Sequence, residues 1–251
     1  MEVYFSILVF VFGTLLGSFY NVVGYRLPKG LSLIKPSSSF CPKCNHSLKW
    51  YELIPIFSFL IQKGKCRSCK CNISLFYPCM ELLTGILFTV SYLIFGFGAE
   101  FLIAAIISSF FVIVIVSDIN YLVIPDEVTL FFSVTVLIIK FIFYGVEVGF
   151  ESILNGLFLF FTMYLIMLLG NHLFKKESLG GGDIKLMFFV GTILSPINGM
   201  FQIFLSSFIA LPISLIVYFT KKNRLIPFGP FILLALYIIY ILQIDIITLL
   251  G

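Results

Sequence analysis

Charge is scarce in this chain of 251 residues. Asp, Glu, Lys and Arg together make up 11%, against 60% hydrophobic residues, and the mean hydropathy is +1.12. That balance excludes a soluble globular domain and leaves an all-α polytopic membrane protein in a lipid bilayer. The net charge of +4 gives no support to a nucleic-acid partner, because the basic residues are loop residues scattered among apolar runs. Histidine is nearly missing: only His46 and His172 occur, and His172 sits late in an apolar run, so no Ser/His/Asp set competes for catalysis. No basic stretch precedes the first apolar run and no small-residue cleavage site follows it, so this run is expected to stay as a membrane anchor. Internal repeats, which a transporter would normally show, are absent.

What is present is a series of long apolar runs. About 20 apolar residues cross a bilayer core, and eight candidate spans lie near 3–24, 79–97, 101–122, 128–146, 152–174, 184–196, 199–219 and 228–249. The sixth is short for a crossing. With eight spans, fifteen of the sixteen Lys and Arg residues fall on one side: those from Arg26 to Lys70, then Lys175, Lys176 and Lys185, then Lys221, Lys222 and Arg224. Only Lys140 is left over, inside the fourth span. Positive loops stay in the cytoplasm, so that side is expected to be cytoplasmic, with both termini outside. The opposite loops carry Glu100, Glu147 and Glu151.

Three consecutive glycines, Gly180 to Gly182, lead into Asp183, which opens the sixth span, and Asp118 closes the third after Phe111-Val-Ile-Val-Ile-Val-Ser117. A carboxylate at the edge of hydrocarbon is costly and points to function. Each alone also has a bland reading: Asp118 as a helix-end carboxylate reaching for interfacial water, Asp183 as a helix cap. Both fall on the Lys/Arg-rich side, which permits one shared site, and two acids in one site are the ingredients of an aspartic protease. Asp126, after Pro125 and before Glu127, reads as the N-cap of the fourth span.

Residues 25–78 form the only soluble-like segment, too short for a core of its own. Cys41-Pro-Lys-Cys44 and Cys66-Arg-Ser-Cys69 are two C-x-x-C pairs separated by 21 residues. Four thiolates at this spacing suit tetrahedral zinc in a ribbon-like loop, and disulfides are disfavoured on the expected cytoplasmic side. The competing reading, a thiol oxidoreductase, would prefer the outer face. Cys71 is an alternative to Cys69 as ligand, Cys79 opens the second span as a small apolar residue, and His46 is a loop residue. Gly13-Thr-Leu-Leu-Gly17 is a G-x-x-x-G that packs helices closely. Asn21 reads as an interhelical hydrogen-bond donor, with contact to substrate as the alternative, and Glu81 as a structural acid at the end of the second span, with a place near the site as the alternative.

Taken together, these segments resemble the type IV prepilin peptidases, members of the G-x-G-D membrane aspartic proteases. Gly17-Ser-Phe-Tyr-Asn-Val-Val-Gly-Tyr-Arg-Leu-Pro28 is similar to the family's G-S-F-x-N-V-x-x-x-R-L-P opening. The two cysteine pairs match its cysteine loop, and Tyr77-Pro-Cys-Met-Glu-Leu-Leu-Thr-Gly85 its Y-P-x-x-E-x-x-x-G. Ser117 to Asp126 carries the first aspartate motif, Gly180-Gly-Gly-Asp-Ile-Lys-Leu186 the second, and Ile226-Pro-Phe-Gly-Pro230 the closing P-F-G-P. One departure is Tyr51-Glu-Leu-Ile-Pro55, where many members have D-N-I-P; it looks like the Gram-positive competence-pseudopilin branch. The resemblance implies catalytic roles for Asp118 and Asp183, and cleavage of the basic leader of a prepilin or pseudopilin at the cytoplasmic face. It also implies N-methylation from S-adenosylmethionine in members that methylate. The expected organisation is a first transmembrane helix over 1–25, a cysteine loop binding Zn2+ through Cys41, Cys44, Cys66 and Cys69 over 26–78, and a peptidase core over 79–251. The rival reading is a proton-coupled transporter with a structural zinc loop.

Overall fold

The computed structural model describes residues 1–35, 38–41, 43–175, 179–220, 226–246 and 248; Lys176, Lys221, Lys222 and Arg224, which entered the charge count, lie outside these. Most of the described residues are helical, and none lies in a strand. All eight expected spans form helices: α1 (Glu2–Arg26), α3 (Phe76–Phe95), α4 (Ala99–Tyr121), α5 (Asp126–Tyr144), α6 (Val146–Phe174), α7 (Gly181–Ile193), α8 (Pro196–Thr220) and α9 (Gly229–Ile241), with a short α2 (Phe57–Ile61) in the cysteine loop. Six of them are long and apolar enough to cross a membrane, which makes the chain a multi-pass membrane protein.

Two do not reach full length. Helices α7 and α9 have 13 residues each, which at ~1.5 Å per residue is about 20 Å, against roughly 30 Å of hydrocarbon. The expected eighth span ran to 249. It stops at Ile241 because Leu242 caps it and Gln243 takes a left-handed φ of 50°. Helix α6 starts six residues earlier than expected, because Gly145, at φ 93°, turns the chain directly from α5 into it. Helix α3 begins upstream of Pro78, which a first helical turn tolerates.

Helix α4 is the axis of the bundle. It is apolar all round, as a helix enclosed by others must be, and Ile103, Ile107, Phe110, Val112 and Val114 are fully buried. Phe110 packs edge-on against Phe189 of α7 at 4.9 Å and, with its ring tilted by 30°, against Phe132 of α5 at 5.2 Å. Around this axis, small residues let backbones close up. On α1, a Cβ at Gly13 would sit 3.0 Å from the Cα of Gly85, and one at Gly17 2.9 Å from the Cα of Glu81, so the G-x-x-x-G packs α1 on α3. Gly191 of α7 lies so close to α6 that a Cβ there would be 2.6 Å from the Cα of Gly156. Helix α9 is held by Tyr237, whose hydroxyl donates to the Leu87 carbonyl at 2.8 Å, and by Gln202 of α8, whose Nε2 donates to the Ile232 carbonyl at 2.5 Å.

The alternating helices bring the end of α4, the start of α5, the start of α7 and the start of α9 to the bundle end that carries the cysteine loop. At the opposite end, Glu100 accepts from the hydroxyls of both Tyr144 and Tyr240, a tie between α4, α5 and α9.

Candidate functional site

Asp118 lies in the last turn of α4 and is buried, at 6% exposure. The helix ends just past it, where Leu122 takes a left-handed φ of 54° and its N–H donates to the Asp118 carbonyl at 2.9 Å. Val123, Ile124 and Pro125 then turn the chain into α5; Pro125 cannot continue the previous helix and is disposed to begin the next. The Asp118 carboxylate accepts a hydrogen bond from the backbone N–H of Gly229 at the start of α9, 3.2 Å from Oδ2.

Asp183 enters from α7. Gly180 caps that helix in extended geometry, with φ −70° and ψ 138°, and Asp183 stands in the first turn, its N–H donating to the Gly180 carbonyl at 3.1 Å. No hydrogen bond reaches its carboxylate among the described residues, so capping does not account for it. The carboxylate is half-buried and within electrostatic range of Asp118. Ile124 fills the space between the helix starts. A Cβ at Gly182 would lie 3.2 Å from the Ile124 side chain, and one at Gly229 2.9 Å from it. Two of the three glycines flanking Asp183 therefore have structural work beyond bending the chain: Gly182 admits Ile124, and a Cβ at Gly180 would stand 3.3 Å from the Asp183 carboxylate. The structure thus brings Asp118 and Asp183, 65 positions apart in sequence, to one place.

Asp126 differs from its expected place. The N-cap of α5 is Pro125, without a side-chain cap bond, and Asp126 is the first helical residue. Its carboxylate is exposed and pairs with Lys185 Nζ at 2.6 Å, joining α5 to the first turns of α7 beside the two aspartates. Asn21 is buried, and its Nδ2 donates to the Tyr77 carbonyl at 3.2 Å, the interhelical bond expected of it. Glu81 accepts from the N–H of Ile56 at 2.8 Å and so ties α3 to the cysteine loop; Ile56 is held at φ 61°, a conformation that β-branched residues rarely take.

The cysteine loop is two copies of one turn. Cys41 N–H donates to the His46 carbonyl and Asn45 N–H to the Cys41 carbonyl; Cys66 N–H donates to the Cys71 carbonyl and Lys70 N–H to the Cys66 carbonyl, all at 2.9–3.0 Å. Asn45 and Lys70 are both left-handed, at φ 55° and 59°, and single bridges Phe40 to Ser47 and Lys65 to Asn72 close the two turns. The repetition pairs Cys41 with Cys66 and Cys44 with Cys69. It also pairs His46 with Cys71, which places a fifth thiol at the centre. The sulfurs of Cys41, Cys66, Cys69 and Cys71 all lie within 4.8 Å of one another, and Cys44 Sγ is 3.9 Å from Cys66 Sγ.

This cluster could hold a metal ion, and its geometry fits one. With metal–sulfur bonds of about 2.3 Å, a tetrahedron has sulfur–sulfur edges of roughly 3.8 Å; Cys41 stands 3.8 Å from Cys69 and 3.6 Å from Cys71. Backbone N–H groups of Cys44 and Lys43 aim at the Cys41 sulfur and pull its thiol down to about 6, favouring the thiolate that a metal needs. Cys79 is exposed on α3. His46 Nε2 faces the buried Glu52 carboxylate at 3.4 Å, and Arg67 Nε approaches the same group at 3.7 Å, so Glu52 clasps the two turns together. No residue pattern announced that clasp, nor the N–H of Gly229 on Asp118.

Residues 11–95 match the bacterial peptidase A24 N-terminal domain, and residues 105–215 match the type IV leader peptidase family. A curated relative from Bacillus subtilis, named prepilin leader peptidase/N-methyltransferase, is 38% identical over 74% of this chain and 73% of its own length. Relatives of the same name from Neisseria gonorrhoeae and Vibrio cholerae are 31% and 30% identical, over 92% and 96% of this chain and 88% and 98% of theirs. No solved structure matches the chain significantly. With two aspartates at adjoining helix ends, a twinned cysteine turn at the same end of the bundle and relatives of this likeness along nearly its whole length, the chain belongs to the type IV leader peptidase family.

Proposed function

We propose that this protein is an aspartic endopeptidase that removes the basic leader of a type IV prepilin or pseudopilin at the cytoplasmic face of the membrane, with Asp118 and Asp183 as the catalytic pair. The observation that carries this reading is the meeting of two sequence-distant carboxylates at one bundle end, one of them buried and held by a backbone N–H. Two close carboxylates cannot both ionise and share one proton. The ionised member takes a proton from water as the water oxygen bonds to the peptide carbon. The protonated member gives its proton to the carbonyl oxygen. Collapse of the tetrahedral species breaks the C–N bond: the proton taken from water passes to the leaving nitrogen, and the carbonyl oxygen's proton returns to the other carboxylate. A proton-coupled transporter would account for neither the family match nor the cysteine loop.

The face of action rests on charge. All basic residues from Arg26 to Lys70 belong to the end where both aspartates lie, and positive loops stay in the cytoplasm, so both termini face outward. A prepilin presents a basic leader ahead of an apolar segment. The same rule would hold its leader in the cytoplasm, with the scissile bond at the boundary, where extended backbone still finds water. We divide the chain accordingly into a first helix over 1–25, a metal-binding loop over 26–78 and a peptidase core over 79–251.

Methyl transfer follows the relatives' name, with S-adenosylmethionine supplying the methyl group. A cleft lined by Glu2, Ser6, Phe10, Thr89 and Leu93 lies at the opposite bundle end from the aspartates, and does not fit a donor that must reach the newly cut N-terminus. Sealed membrane vesicles test activity and face together. Inside-out vesicles should shorten an added prepilin by the mass of its leader, with a further ~14 mass units if methylation follows, that being one methylene added. Right-side-out vesicles should leave it intact. Cleavage only by the right-side-out preparation would invert the topology.

For the loop, zinc bound by Cys41, Cys44, Cys66 and Cys69 is the reading that the repeated turns support, with Cys71 as a spare thiol. Purified protein should carry about one zinc per chain, since four thiolates complete one tetrahedral site. Cys71→Ser should keep it. Replacing Cys41 and Cys44 together by Ser should release it and expose the loop to trypsin, because the loop lacks a core. Metal lost on Cys71→Ser alone would move the ligand set to Cys41, Cys66, Cys69 and Cys71, and wild-type protein without metal would remove the site.

A further inference from the structure

We propose that Gly229, in the closing Pro-Phe-Gly-Pro segment, is a positioning residue for catalysis: its backbone N–H holds the Asp118 carboxylate in its working place and favours its ionised form. The inference rests on the protease reading above and concerns a residue with no chemistry in its side chain. Two observations carry it. The first is the hydrogen bond itself, 3.2 Å from the Gly229 nitrogen to Asp118 Oδ2, between groups buried where α9 begins and α4 ends. The second is the space. A Cβ at 229 would sit 3.1 Å from that same oxygen, 2.9 Å from Ile124 Cδ1 and 3.0 Å from Val114 Cγ1, so any other residue would press on the carboxylate it must bind.

Gly229 is also the first residue of α9, whose early N–H groups have no partner within the helix. One of them is therefore free to serve Asp118. An N–H donor binds a charged carboxylate more strongly than a protonated one. Asp118 then becomes the member of the pair that accepts the proton from water, and Asp183, which has no hydrogen-bond donor among the described residues, the member that donates. The flanking prolines suit this task. Pro227 and Pro230 limit the backbone on both sides of Gly229, so the N–H is aimed before substrate arrives.

Replacing the Gly229 amide by an ester, through cell-free synthesis into lipid nanodiscs with glycolate at that position, removes the N–H and adds no atom. It also weakens the Phe228 carbonyl, which accepts from Phe231 and Ile232. An ester at Phe231 gives up one of those same bonds without touching Asp118, and is the control. Leader cleavage of a synthetic prepilin should lose about ten- to a hundredfold in kcat with the ester at 229, as for a lost hydrogen bond to a charged group. KM should hold, and the ester at 231 should stay within about twofold. Gly229→Ala should also lower kcat, and adding Ile124→Val, which deletes Cδ1, should not restore it. The proposal is overturned if the 229 ester matches the 231 control, if its loss lies in KM alone, or if Ile124→Val fully rescues Gly229→Ala. Asp118→Asn separates this outcome from the broader reading: an inactive Asp118→Asn beside an unaffected 229 ester rejects only the role of Gly229, whereas an active Asp118→Asn rejects the catalytic pair itself and this inference with it.

Discussion

Asp118→Asn and Asp183→Asn should each lower the rate of leader cleavage by about 10²- to 10⁴-fold, the range of a lost general acid or base, while the protein still inserts. Asparagine keeps the size of the side chain and removes only the carboxylate, and one remaining acid cannot both accept and donate in the same step. At Asp118 the Gly229 N–H still finds an oxygen acceptor, so the helix ends should keep their places. Asp126→Asn is the contrasting case. It breaks the pair with Lys185, whose partners are both largely exposed, and such pairs contribute about 0–1 kcal/mol; cleavage should remain within a few-fold of wild type. Immunoblots of a co-expressed prepilin separate these outcomes. An inactive Asp126→Asn beside an active Asp118→Asn would shift the first catalytic aspartate to Asp126.

Gly191→Ala should also impair cleavage, although it lies two turns from Asp183. Its added Cβ would stand 2.5 Å from the Asn155 carbonyl oxygen and 2.6 Å from the Cα of Gly156. Those neighbours are backbone, so they cannot swing aside as a side chain would, and overpacking of this kind costs typically 1–3 kcal/mol. Relief requires α7 to move off α6, and α7 is too short to absorb the shift before it reaches the first turn. Cleavage should fall at least tenfold, as ~1.4 kcal/mol of lost alignment would produce, together with a lower unfolding temperature in detergent. A Gly191→Ala protein with full activity would show that α7 is not locked in this way. Alanine at Gly98, where no atom lies within 4 Å of the added carbon, is the control.

The apolar runs announced every long helix, since membrane spans are read from length and hydropathy alone. Their ends were less legible, because a residue such as Gly145 or Gln243 ends or restarts a helix through its φ angle. That Asp118 and Asp183 share an end followed from the distribution of Lys and Arg, a property of the whole chain. That they share a place required tertiary contacts, with Ile124 wedged against Gly182 and Gly229. Backbone donors leave no side-chain signature, so the bond from Gly229 to Asp118 was invisible in sequence, as was the bond from Ile56 to Glu81. The C-x-x-C spacing pointed to a cysteine cluster, but the place of Cys71 within it emerged only when the two turns proved to repeat. Asp126 had the composition of an N-cap and became instead the partner of Lys185, because Pro125 already occupies the cap.

The claim that Asp118 and Asp183 act as one unit is tested most directly by the residual cleavage rate of the double variant Asp118→Asn/Asp183→Asn beside the two single variants. The rates are measured on purified protein with enzyme in excess over prepilin. If both carboxylates serve a single proton-transfer step, the first loss already removes that step and the second has nothing left to remove. All three variants should then sit at the same floor. Losses that multiply, or a single variant that keeps near-normal cleavage, would contradict a shared site.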